Sequence, residues 1–245
     1  MGPFSAAAGR PLIVGHRGVR GQEPAENTPA AFAAAHAAGA DWVELDARRS
    51  ADGVPVVHHD GWSPDGVAVV ERTAAELAAV GIVTLAEALD GLPDGLGVDV
   101  EVKNLPGEPD YDPGDAIVEA VARVVGPRAG ERPLLVSSFN PLTVAALVRT
   151  LPHLPAGLVH FDSLAVTAAL PIAIEQGAVA LCSRVGAPSL DAAGVAAVHD
   201  AGLGLLVWTV NDLALAAELA AAGADALCTD DPAAMVAALR PTPRR

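Results

Sequence analysis

Four short clusters carry side chains that can do chemistry: His16-Arg17, Glu44-x-Asp46, His59 and Glu101-x-Lys103. Three carboxylates held together cannot all stay ionised without a cation among them. Hard oxygen donors suit Mg2+ or Ca2+, so Glu44, Asp46 and Glu101 are expected to ligate a divalent cation. His16 and His59 can take and give protons. Phosphodiester cleavage needs both acts, one on the nucleophile and one on the leaving alkoxide, on opposite sides of phosphorus. The residues themselves do not divide these two duties between the histidines. Lys103 is the only lysine among fifteen lysine and arginine residues, and a compact ammonium beside a metal can meet a phosphate. Arg17 offers the two-pronged alternative. The remaining histidines, His36, His58, His153, His160 and His199, read as surface or packing residues, with His36 and His199 on helices.

These clusters need a scaffold that brings distant strand ends together. Apolar runs at 12–16, 42–47, 97–103, 134–138, 157–160, 178–183, 204–209 and 226–229 read as eight strands. Helical segments fall between them at 29–38, 84–90, 114–125, 141–150, 163–170, 190–201, 212–222 and 231–239. Strands alternating with helices imply parallel pairing through crossovers. Eight such units favour a closed (β/α)8 TIM barrel over an open sheet, and 245 residues suit one such domain over 1–245. Asn27-Thr28-Pro29 reads as a helix cap with proline in the first turn, and Thr84 with Glu87 as a capping box. The PTPRR end is expected to fray. In a barrel of this kind the site lies at the C-terminal strand ends, where His16, Arg17, Glu44, Asp46, Glu101 and Lys103 all fall.

One stretch breaks the rhythm. Asp52-Gly53 separates two strand-like runs and reads as a two-residue hairpin turn. That turn sets Ala51 opposite Val54 and, stepping outward, Asp46 opposite His59. Side chains alternate along strands, so Glu44, Asp46 and His59 should converge while His58 points away. A turn-rich insertion follows at about 61–82 and carries Trp62.

Composition narrows the partners. Thirty acidic residues against fifteen lysines and arginines give a net charge of -15, so the basic stripe of a nucleic-acid binder is missing. Apolar runs are too short to span a bilayer, the first residues lack the pattern of a signal peptide, and two cysteines make no disulfide framework. These features lead us to expect a cytoplasmic protein without membrane insertion that acts on a small molecule. They leave the oligomeric state open.

The pieces also have a familiar order. His16-Arg17-Gly18 is followed by Glu26-Asn27-Thr28-Pro29-x-x-Phe32, Gly39-Ala40-Asp41-x-x-Glu44-Leu45-Asp46 and Asp52-Gly53-x-x-Val56-Val57-x-His59-Asp60. Then come Thr84-Leu85-x-Glu87, Glu101-Val102-Lys103, Ser138-Phe139, Trp208-Thr209-Val210-Asn211 and Thr229-Asp230-x-Pro232. This series resembles the glycerophosphodiester phosphodiesterase family, over residues 12–232. The resemblance implies a TIM barrel with a small insertion after the second strand. It implies hydrolysis of glycerophosphodiesters to sn-glycerol 3-phosphate and an alcohol with a divalent cation. It makes His16 and His59 the acid/base pair, Glu44, Asp46 and Glu101 the metal ligands, and Arg17 and Lys103 the phosphate contacts. Phe139 and Trp208 would line the glycerol side, and Glu26 and Asn27 would lie at the rim, Asn27 with a helix cap as its other reading. The Pro24-Ala25-Glu26-Asn27-Thr28 segment is one residue longer than the usual Pro-Glu-Asn-Thr. The insertion would shape the leaving-group pocket. Two other readings are a phospholipase D-like barrel acting on lysophospholipids or sphingomyelin, and a non-catalytic phosphate-ester binding protein.

Overall fold

A computed structural model describes residues 3–4, 10–21 and 23–240; the PTPRR end lies outside them. Strand β1 (Leu12–Gly15) leads through helix α1 (Pro29–Ala37) to β2 (Trp42–Arg49), which folds back on the short β3 (Pro55–Val57). Helices α2 (Ala74–Ala78) and α3 (Leu85–Asp90) precede β4 (Gly97–Val102) and α4 (Ala116–Val125). Regular alternation follows: β5 (Leu134–Ser138), α5 (Pro141–Thr150), β6 (Ala156–His160), α6 (Val166–Glu175) and β7 (Ala180–Arg184). The chain ends with α7 (Ala192–Asp200), β8 (Gly204–Trp208), α8 (Leu213–Ala222), β9 (Ala226–Thr229) and α9 (Pro232–Leu239). Eight strands pair in parallel in the order β1-β9-β8-β7-β6-β5-β4-β2, and β1 pairs with β2 to close the ring. β3 lies antiparallel on β2, outside that ring. The architecture is a TIM barrel.

Alternation along each strand sorts the side chains. One set, including Ile13, Val43, Leu45, Val98, Val100, Leu181 and Leu205, packs outward under the helices. Burying each such side chain is worth roughly 1.5–3 kcal/mol. The other set fills the barrel. Near the strand starts it is apolar: Leu12, Val14, Trp42, Leu135, Ala180, Leu206 and Ala226 cluster with Phe4. Gly97 has no side chain because Trp42 occupies that space; an added Cβ would lie 2.4 Å from the indole. Toward the strand ends the same inward positions become Glu44, Asp46, Asp99 and Glu101, so charge gathers at one mouth.

Two expectations need correction. The β2–β3 register pairs Ala47 with Val57 and Arg49 with Pro55, one residue off the expected alignment. The loop has three residues, not two. Ser50 N donates to Val54 O at 3.0 Å, the Ser50 hydroxyl accepts from Val54 N at 2.9 Å, and Gly53 takes the left-handed conformation at φ 77°. That is a three-residue hairpin loop with a bulge at glycine. His58, not His59, therefore stands opposite Asp46, and its N–H donates to Asp46 O at 3.0 Å. The second correction concerns α6, which continues through Pro171 to Glu175 instead of stopping at 170. A proline inside a helix forfeits one backbone bond, and the burial of Val166, Ala169, Leu170 and Ala173 on the barrel outweighs that loss.

In the insertion Val69, Leu77 and Ile82 form a small core against Val56 of β3. Within it, Thr73 and Glu76 form a capping box that starts α2.

Candidate active site

The first barrel loop is shaped to present donors inward. Arg17 and Asn27 both adopt left-handed backbone, at φ 53° and 58°, a conformation uncommon for residues with a Cβ and concentrated at functional sites. The turn at Arg17 aims its N–H at Glu44 Oε2, 3.0 Å away. The turn at Asn27 aims its side chain at Asp46: Nδ2 donates to Oδ2 at 2.8 Å, and Asp46 N donates to Asn27 Oδ1 at 3.3 Å. Asn27 is not the helix cap. Thr28 caps α1, accepting from Ala31 N. Glu26 lies at the rim, bridging Arg17 and Arg20 at 2.7 Å each, so the longer loop keeps its glutamate in touch with Arg17.

Three carboxylates converge: one oxygen each from Glu44, Asp46 and Glu101 lie within 4.8 Å of one another, and all three residues are buried. Lys103 Nζ sits 2.9 Å from Asp46 Oδ1 and 2.5 Å from Glu101 Oε1. Arg17 Nε lies 3.2 Å from Asp46 Oδ2. Burial, with Asp46 and Glu101 beside it, holds the Glu44 carboxyl well above the usual carboxylate range. Burial works the same way on Asp46, but Lys103 and Arg17 outweigh it and hold Asp46 well below that range. Glu44 Oε1 is buried with no hydrogen-bond partner among the described residues. A buried carboxylate oxygen without a partner is costly, and a divalent cation bound at Glu44 Oε1 would remove the cost. The donor set of Glu44, Asp46 and Glu101 therefore fits a hard cation.

Each histidine at the mouth is backed by a carboxylate. His16 Nδ1 lies 2.6 Å from Asp230 Oδ1, and Asn211 Nδ2 donates to Asp230 Oδ2 at 2.7 Å. His59 Nδ1 lies 2.7 Å from Asp60 Oδ1. A carboxylate at Nδ1 fixes the ring and leaves Nε2 for other work. His59 reaches the site because β3 ends at Val57 and the chain turns inward; His58 turns away, with Nε2 3.1 Å from Trp62 O. Burial pushes the His59 imidazole below its ordinary value; Lys103 and Arg17 add to this, and Asp46 opposes it.

His16, Arg17, Glu44, His59, Glu101 and Lys103 line a cavity of about 450 Å³. Phe139 and Trp208 form its far wall, meeting edge to face with centroids 5.4 Å apart, and Lys103 Nζ lies 5.5 Å from the Phe139 ring centre. Of the expected site residues, Asp46, Glu26 and Asn27 lie behind or beside the cavity wall and act on those that line it. Sequence reasoning gave no role to Asp230, Asn211 or Asp60. Their signals were membership in the motif series and, for two of them, position: Asp230 directly follows β9 as His16 follows β1, and Asp60 is next to His59.

Below the cluster, Asp99 accepts from the Ser137 hydroxyl at 2.8 Å. Burial pushes its carboxyl up to about 8, against the pull of the Ser137 bond. A carboxyl raised on folding makes the native state hold a proton that the unfolded chain has released. Stability should fall as pH rises from about 4 and level off above about 8, by at most about 1.4 kcal/mol per pH unit. Asn at this position cannot titrate. In cation-free buffer, the stability gap between Asp99→Asn and wild type should open across that window, favouring the variant at pH 9. Thermal melts at half-unit intervals would measure it, and a pH-independent gap would contradict the shift.

Comparison with known proteins now decides the family. The model of the glycerophosphoryl diester phosphodiesterase family matches residues 16–234. The chain belongs to that family. A glycerophosphodiester phosphodiesterase of Caldanaerobacter subterraneus subsp. tengcongensis is 29% identical over 251 aligned positions, covering 94% of this chain and 98% of the relative. Among solved structures, an Oleispira antarctica phosphodiesterase in complex with the product sn-glycerol-3-phosphate is similar with a TM-score of 0.80 and 27% identity. That match covers 94% of this chain and 96% of the other. A glycerophosphodiester phosphodiesterase of Agrobacterium tumefaciens str. C58 has a TM-score of 0.72 and 25% identity, covering 93% and 98%. Membership makes the chain an enzyme, and the reading as a non-catalytic binding protein falls. Among the described residues, no helix is long and apolar enough to cross a membrane.

Proposed function

We propose that this family member hydrolyses glycerophosphodiesters to sn-glycerol 3-phosphate and an alcohol, using a divalent cation, Mg2+ or Ca2+, and His16 and His59 as its acid/base pair. The observation that carries the reading is the gathering of Glu44, Asp46 and Glu101 at the wall of a cavity that two carboxylate-backed histidines also line. The sn-glycerol-3-phosphate bound to the Oleispira relative supports the choice of product.

Glu44, Asp46 and Glu101 hold the cation, which when bound supplies Lewis-acid polarisation of a phosphoryl oxygen. Arg17 and Lys103 add fixed positive charge where negative charge grows in the transition state. They also hold the carboxylates in place, so they act on the phosphate from a framework set in advance. One histidine takes a proton at Nε2 from the attacking water, or from the neighbouring glycerol hydroxyl if a cyclic phosphate forms. The other delivers a proton from Nε2 to the departing alkoxide. Asp230 and Asp60 keep the two rings oriented through this exchange. Phe139 and Trp208 offer flat apolar faces to the carbon backbone of the glycerol; the expected shaping of the leaving-group pocket by the insertion finds no support, since no residue of 61–82 is among those lining the cavity.

The test is a panel of glycerophosphodiesters with Mg2+ or Ca2+, read as released glycerol 3-phosphate, with lysophosphatidylcholine alongside. Release from glycerophosphocholine or glycerophosphoethanolamine is the expected result. Turnover of lysophosphatidylcholine alone would turn the assignment toward the phospholipase D-like reading.

A further inference from the structure

Among the described residues, Arg48 is the largest side chain with less than 2% of its surface exposed. It stands on β2 two residues past Asp46 and so on the same face, nearer the hairpin. Its Nη1 lies 2.6 Å from Asp110 Oδ1 and 2.7 Å from Glu108 Oε2. Both acids belong to the loop that follows β4 and Lys103. Its Nε is turned the other way and donates to the backbone carbonyl of His59 at 2.7 Å. One guanidinium thus ties the His59 turn to β2 and to the loop beyond β4. A second contact presses from the same side. Gly61 lies against Pro109 so closely that a Cβ there would come within 2.5 Å of the proline ring. No ladder bond holds His59, since β3 ends two residues before it.

We propose that Arg48 is a positioning residue for His59: through the His59 carbonyl it sets the distance between that imidazole and the Glu44–Asp46–Glu101 cluster. The inference rests on the reading of His59 as one of the acid/base pair. Arg48 does not line the cavity and acts only through the turn it holds. Arginine suits the task because its planar fork can serve an acid on one edge and a carbonyl on another. Asp110, with 1% of its side chain exposed, anchors the fork, and Gly61 lets the turn seat on Pro109.

A buried ion pair of this kind could serve the fold alone, so the test must separate placement from stability. Losing one partner strands a buried charge, whereas replacing both with apolar residues avoids that penalty. The variant is therefore Arg48→Met with Asp110→Leu; Glu108, whose Oε2 is buried against Arg48, has a side chain 32% exposed and turns to solvent once the guanidinium is gone. With glycerophosphoethanolamine and saturating Mg2+, kcat should fall by about 100-fold, the effect of a misplacement near 1 Å. KM and Tm should stay close to wild type, and a crystal structure of the variant should show His59 displaced. A folded double variant with wild-type kcat and His59 in place overturns the proposal. Should the double variant not fold, Gly61→Ala decides. It keeps every charge and lifts the turn off Pro109, so kcat should drop by about tenfold at unchanged Tm; unchanged kcat overturns the proposal. If the wild-type protein releases no glycerol phosphate, the functional reading fails by itself, because the displacement of His59 is read without turnover.

Discussion

His16→Ala and His59→Ala should each lower kcat by about 10³-fold or more, at the upper end of what positioned acids and bases contribute. Two features make the expected loss large. Each imidazole is already oriented by its own carboxylate, Asp230 or Asp60, so removing the ring removes a group held ready for proton transfer. Neither role is duplicated, because the remaining histidines lie away from the cavity lining. Both substitutions leave the fold intact, since the two side chains sit at the mouth and not in the apolar clusters. The measurement is steady-state turnover of glycerophosphocholine beside a thermal melt. Near-normal kcat in either variant would end its assignment as acid or base.

Removal of divalent cations should be equally severe. With all three carboxylates ionised they outnumber Arg17 and Lys103 by one negative charge, a state the cation-free cluster avoids by holding Glu44 toward its neutral form. A divalent cation reverses that sign, and the phosphodiester then brings the site to neutrality. Protein dialysed against EDTA should keep about 1% of its activity or less, a loss of at least 2.7 kcal/mol in transition-state stabilisation, and Mg2+ or Ca2+ should restore it. Binding should also raise Tm, since a ligand at about 100 times its Kd adds about 2.7 kcal/mol of stability. Glu44→Gln should shrink that thermal shift without needing any turnover to report it. Full activity in rigorously metal-free buffer would refute the three-carboxylate site.

Much of this was legible in the sequence, for identifiable reasons. Each barrel strand is a short apolar run bounded by turn residues, so its position was plain, and Glu44-x-Asp46 had to share a face because strand side chains alternate. His59 lines the cavity, but by a different path from the expected hairpin pairing. Asp52-Gly53 was read as the whole turn, but Ser50 draws Ala51 into the loop and slips the register by one. His59 arrives only because the strand ends early. The capping box at Thr73 and Glu76 was readable, yet in a turn-rich stretch it passed for irregular chain. The supports of the histidines were not readable. His16 and Asp230 stand 214 residues apart, and Arg48 and Asp110 stand 62 apart. Such pairings follow from barrel closure and loop packing, which no local pattern encodes.

The apolar plug at the opposite end of the barrel has a practical side. Phe4 lies edge-on to Trp42, 5.8 Å between ring centres, where both β2 and β8 begin. Phe4 is thereby moored at the far pole from the mouth that holds the carboxylate cluster. Tethering the protein to a bead or sensor surface through that end leaves the mouth facing solution. The same mooring makes Phe4 the boundary for trimming, because shortening past it would uncork the barrel from below.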